Sequence, residues 1–111
     1  MRGSRIHVLG VAYKAGVNDM RESPALNVMR ILFEKGAVLS YSDPYIPAIR
    51  EEGLSLDSLP LQNGYMGGID CAVILTDHRE FDYPYLVQNA PLVVDTRNAL
   101  KGLTGDNIVR L

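Results

Sequence analysis

Three cations stand where this chain could hold an anion. Lys14 and Arg21 lie between an apolar run, residues 6–11, and a helix that Ser23 and Pro24 are suited to start. Arg97 follows a second apolar run, residues 92–94, after Asp95 and Thr96. A strand–loop–helix with cations in its loop favours an anion, because the helix N–H groups and macrodipole add to the charge. Most loop cations are merely solvated, so Lys14 and Arg21 gain little from pattern alone. Arg97 has the sharper claim, since a guanidinium at a strand end is shaped for bidentate contact with phosphate. Tyr13 sits beside Lys14, whereas the other tyrosines are scattered and read as packing.

The remaining reactive side chains invite blander readings. Asp77-His78 looks like an acid–base pair, but adjacent residues after a strand diverge in direction, so a surface or capping histidine is expected. His7, inside a strand, reads as a hydrogen-bonded core or edge histidine. Cys71 lies in an apolar run and reads as an inert buried thiol. Two histidines far apart and one cysteine give no metal-ligand spacing. Asp43-Pro44 could touch a ribose, but a turn-forming aspartate is the safer expectation. Gly10 and Gly16 do not make G-x-G-x-x-G, and no G-x-x-x-x-G-K-[ST] loop occurs, so neither device for dinucleotides or triphosphates is present.

The elements that must position these groups alternate between strand and helix. Apolar runs at 6–11, 37–42, 69–75 and 92–94 read as buried strands, with a last strand at 107–111. A helix from Ser23 carries Ala25, Val28, Met29 and Leu32 on one face and stops near Lys35-Gly36. Asp82 caps a short helix over 83–88, with Pro84 in its first turn. Residues 46–52 read as one helical turn or irregular chain; Leu54 and Leu56 could form a short edge strand, and Pro60, Gly64 and Gly67-Gly68 argue for loop. The expected fold is an α/β, Rossmann-like three-layer sandwich: a mostly parallel sheet of about five strands flanked by helices. Ligands of such sheets sit outside the carboxyl ends of the strands. There the sequence puts the 13–21 loop, Asp43, Thr76-Asp77-His78 and Asp95-Thr96-Arg97-Asn98.

The totals narrow the class. At 111 residues the chain is long enough for one domain with a real core. A net charge of −2 gives no general attraction to nucleic acid or anionic membrane, so an anion site must be local. One cysteine excludes an internal disulfide and suits a reducing, cytoplasmic compartment. No apolar run approaches the ~20 residues of a membrane span. Residues 1–4, Met-Arg-Gly-Ser, read as an expression leader, leaving 5–111 as a domain that starts at a core strand and is expected to be excised from a longer protein.

Residues 10–26, GVAYKAGVNDMRESPAL, closely resemble the opening of the C-terminal domain of the UDP-glucose/GDP-mannose dehydrogenase family. The resemblance continues, in the expected order, through Tyr41-Ser42-Asp43-Pro44-Tyr45, Val73-Ile74-Leu75-Thr76-Asp77-His78 and Val94-Asp95-Thr96-Arg97-Asn98. Many members have Phe where this chain has Tyr13, which keeps a stacking face. The Asp77-His78 pair and the Asp95–Asn98 run are more similar to the UDP-N-acetylhexosamine branch than to the UDP-glucose branch.

The resemblance implies a UDP-sugar-binding domain of an NAD-dependent UDP-sugar 6-dehydrogenase, which oxidises a C6 hydroxyl to a carboxylate for surface polysaccharide, using two NAD+ in succession. It implies that Tyr13, Lys14 and Arg97 bind the UDP-sugar and that Arg21 reaches toward the NAD+ pyrophosphate. It also implies an NAD-binding domain and a central dimerising region outside this chain, with the catalytic cysteine upstream; Cys71 does not match it. This chain alone is then expected to be inactive and to bind UDP weakly or not at all. A free-standing, non-catalytic nucleotide-binding regulatory domain is the rival reading. A receiver-like signalling domain fits less well, because Lys14 stands where an acidic cluster is needed.

Overall fold

The structure is a computed structural model of the chain and describes residues 3–12, 24–51, 54–59, 68–78 and 81–110. Tyr13, Lys14, Arg21 and Ser23 lie outside them, as do Pro60, Gly64 and Gly67 of the expected middle loop. The described elements run β1 (Arg5–Leu9), α1 (Pro24–Glu34), β2 (Val38–Ser42), β3 (Ala48–Glu51), β4 (Leu54–Asp57), β5 (Cys71–Ile74), α2 (Tyr83–Asn89), β6 (Val93–Asp95) and β7 (Ile108–Arg110). Five strands form one sheet in the order β2-β1-β5-β6-β7, and every pairing in it is parallel. The expected mostly parallel sheet is therefore wholly parallel.

Period-two alternation sends β1 into both faces of the sheet. Ile6 and Val8 join Ala25 and Met29 of α1 in one core, whereas Leu9 joins Ala72, Ile74, Leu86 of α2 and Val93 in the other. A helix on each face is what near-continuous apolar strands require. α1 ends in a Schellman motif: Gly36 is left-handed at φ 93°, its N–H bonds to the Phe33 carbonyl, and the Ala37 N–H bonds to that of Leu32. Asp82 caps α2 by accepting from the Tyr85 N–H, with a proline in the opening turn, as the sequence predicts.

The region after β2 corrects one expectation. In place of a helical turn, residues 48–51 form a strand paired antiparallel with Leu54–Asp57 as a separate two-stranded sheet. Ile49 and Leu54 are buried in the α1-side core, so this hairpin is held by burial of one face, and Arg50 bridges Asp57 at 2.6 Å on its exposed side. No helix among the described residues is long and apolar enough to cross a membrane.

Candidate functional site

The chain leaves β1 through α1 to β2 on one side, and later reaches β5 on the other. The carboxyl ends of β1 and β5 thus flank the topological switch point, where open parallel sheets form a ligand crevice. A cavity of about 320 Å³ lies there, lined by Ala12 after β1, Pro24 and Ala25 at the start of α1, Thr76 after β5, and Thr96 and Arg97 after β6.

The two strand exits meet closely. Gly10 has φ +87°, and a Cβ on it would lie 2.5 Å from both the Thr76 Cβ and the Thr76 carbonyl oxygen. Glycine is required at that position for both reasons. The Thr76 hydroxyl then donates to the Ala12 carbonyl at 3.1 Å, tying β5's exit to that of β1.

Arg97 is placed by its neighbours on both sides. Asp95 is fully buried; its Oδ1 accepts from the N–H groups of Arg97 (2.9 Å) and Ala99 (3.0 Å), and its Oδ2 from that of Leu100 (2.9 Å). Burial pushes its carboxyl up, but those three N–H groups, with help from Arg110, outweigh it and hold the carboxyl below its usual range. Thr96 donates to the Ile74 carbonyl at 2.6 Å, and the Arg97 Nε to the Leu75 carbonyl at 2.8 Å. The guanidinium is exposed and borders the cavity.

Asp43 and His78 depart from the sequence reading. Asp43 does shape its turn, since Oδ1 accepts from the Tyr45 N–H at 2.7 Å. Its Oδ2 does more, accepting from the N–H groups of Val11 (2.8 Å) and Ala12 (3.0 Å) and contacting His78 Nε2 at 2.9 Å. Neither side chain is exposed. With Oδ2 the acceptor of both backbone N–H groups, Nε2 is the side of this contact able to donate. The expected surface or capping histidine is instead a core residue, turned inward by the buried carboxylate across the sheet. Its neighbour Asp77 does point out, accepting from the Tyr83 hydroxyl at 2.8 Å. Burial raises the Tyr83 phenol, and Asp77 reinforces the rise.

His7 is the hydrogen-bonded core histidine that its strand position predicts. Ser42 donates to the Leu59 carbonyl and so accepts from His7 Nε2 at 2.8 Å, leaving Nδ1 to take the Ser40 hydroxyl at 2.7 Å. Burial brings its pKa down to about 4. Cys71 is half-buried rather than buried; burial and then Asp70 push its thiol up, which is the opposite of what a nucleophile needs. No group of three or more potential metal ligands occurs among the described residues.

With this geometry in place, kinship becomes informative. Residues 7–102 match the UDP-binding domain of the UDP-glucose/GDP-mannose dehydrogenase family. The chain belongs to that family. Among its relatives, a UDP-N-acetyl-D-mannosamine dehydrogenase of Methanococcus maripaludis is 39% identical over 77 residues, covering 69% of this chain and 17% of the relative. A UDP-glucose 6-dehydrogenase of Rhizobium meliloti is 37% identical over 106 residues, covering 88% and 24%. The solved structure of a UDP-D-ManNAc dehydrogenase from Pyrococcus horikoshii superposes with a TM-score of 0.73 at 27% identity, over 97% of this chain and 25% of that one. The chain therefore spans about a quarter or less of these relatives.

Of the expected site residues, only Arg97 lies among the described ones, and it borders the cavity. Thr76 and Thr96 border it too; the sequence puts both at the strand ends, but without a role of their own. A lone threonine directly after a buried strand was the available signal, and it is a weak one.

Proposed function

We propose that this chain, residues 5–111, is the nucleotide-sugar-binding domain of an NAD-dependent UDP-sugar 6-dehydrogenase, with the NAD-binding and central dimerising regions supplied outside it. The observation that carries this is Arg97, fixed by the Leu75 carbonyl and the Asp95 turn beside a cavity at the switch point of a UDP-binding-family fold. A diphosphate at that crevice would meet the guanidinium from one side and the start of α1 from the other, both favourable to negative charge. Lys14 and Tyr13, carried by the segment between β1 and α1, would add a second cation and a stacking face. The sugar proposed is an N-acetylhexosamine, and the compartment cytoplasmic.

In the reaction of such an enzyme NAD+ would supply the hydride acceptor for oxidation at C6. This domain does not fit NAD+ as a resident cofactor. The acid at the end of β2, where a dinucleotide fold presents a carboxylate to a ribose, is Asp43, whose carboxylate faces inward and is occupied by Val11, Ala12, Tyr45 and His78. The part of this chain is therefore to bind and orient the UDP-sugar, with Arg21 reaching toward the pyrophosphate of NAD+ held elsewhere.

Calorimetric and NMR titration of the chain with UDP tests this reading. Weak binding or none is expected; a measurable response should perturb Thr76, Thr96 and Arg97 and be lost in Arg97→Ala. Micromolar UDP affinity that survives Arg97→Ala would place the pocket elsewhere. A free-standing regulatory domain would bind a nucleotide fully by itself, without need of a further domain.

A further inference from the structure

Asp43 is more elaborately buried than its turn demands. Oδ1 alone closes the turn through Tyr45, yet Oδ2 is devoted to Val11, Ala12 and His78, residues of two other strand exits. Burying a carboxylate is costly unless its bonds are complete. Here they form a ring. Asp43 holds the Ala12 N–H, the Ala12 carbonyl accepts from Thr76, and the chain runs from Thr76 through Asp77 to His78, which returns to Asp43. The ring joins the ends of β2, β1 and β5, and the Leu75 carbonyl ties it to Arg97. Rings of Tyr45 and Phe81, with centroids 5.1 and 5.6 Å away, pack against the His78 imidazole.

We propose that Asp43 and His78 are positioning residues for the nucleotide-sugar site: through the Val11 and Ala12 amides they fix the chain at the exit of β1, where Ala12 borders the cavity beside Thr76 and Arg97. The ligand named here rests on the function proposed above; the ring itself does not. Ala12 is held at both its polar groups and borders the cavity, so a freed Oδ2 contact would be felt there first. His78 is fully buried and does not line this cavity. Its effect passes through Asp43.

Amide hydrogen exchange and UDP titration of the isotopically labelled chain test this together. In the unaltered chain, the Val11 and Ala12 amides should be protected like those of β1, although they lie beyond the strand. His78→Leu removes the donor and should weaken UDP binding about tenfold and speed exchange at Val11 and Ala12 by about an order of magnitude, with helix and sheet signals retained. His78→Gln restores an N–H near the Nε2 position and should recover most of both; a purely structural role would not give graded rescue of affinity. A folded His78→Leu with unchanged UDP affinity and protection overturns the proposal. Should that variant not fold, free exchange of Val11 and Ala12 in the unaltered chain overturns it equally, and strong protection supports it. Absence of any UDP response in the unaltered chain agrees with a pocket completed by regions outside it, and the exchange data alone then decide the ring.

Discussion

The Nε of Arg97 donates to the Leu75 carbonyl at 2.8 Å, so one edge of the guanidinium belongs to the scaffold. Its Nη groups have no partner among the described residues and border the cavity. A lysine has no second edge and cannot hold Leu75 while reaching a ligand. Arg97→Lys should therefore lose UDP affinity nearly as severely as Arg97→Ala, by about 10- to 100-fold. Calorimetry on both variants checks it; near-wild-type affinity for the lysine variant would mean that charge alone suffices.

Gly10→Ala should be among the most damaging small substitutions. The left-handed φ of +87° costs an L-residue about 1–2 kcal/mol, and the overlap with Thr76 adds about 1–3 kcal/mol. A fall in melting temperature of about 10 °C or more, followed by circular dichroism, is expected.

His7 makes the chain acid-sensitive. Unfolded, its imidazole binds a proton near pH 6.5; folded, burial delays that to about 4. The unfolded state thus holds more protons in this window. The stabilising contribution is complete above pH 6.5 and is lost as pH falls toward 4, by about 3 kcal/mol in all. In His7→Gln the urea-unfolding free energy should fall less steeply across the same window. Parallel curves for the two proteins would exclude His7 as the cause.

Asp95 governs Arg97 from behind. Asp95→Asn replaces an acceptor by a donor facing buried N–H groups of Arg97 and Ala99 or of Leu100, and should cost about 1–3 kcal/mol. Because the carboxyl is held low in the fold, its stabilisation is present above the ordinary carboxylate pKa and fades as pH falls below it. UDP affinity should drop several-fold even at temperatures where the variant is fully folded, since the backbone that aims Arg97 is loosened.

Local chemistry made much of this fold legible. The strands at β1, β5 and β6 are apolar on both faces, and glycine, proline and aspartate mark the ends of α1 and α2, so periodicity and capping sufficed. The β3–β4 hairpin was half legible: Leu54 and Leu56 alternate as an edge strand should, but Ile46-Pro47 and the short apolar content before them masked β3, which gains its stability from burying Ile49 against the main core. Arg97 was legible as a cation after a buried strand. His78 was not, because its partner Asp43 stands 35 positions earlier and no local pattern encodes a pairing across the sheet.

The strand order has a kinetic side. Among the described strands β1 comes first in sequence, yet its two partners lie 33 and 65 positions further along the chain. Until residue 74 or so is available, one edge of β1 has no native neighbour, and its apolar side chains must wait. Loop closure over such separations is slow, and an uncovered apolar strand edge is a template for misassociation. During synthesis, β1 is therefore made well before it can be sheltered, and truncation before β5 should leave an aggregating chain rather than a smaller folded one.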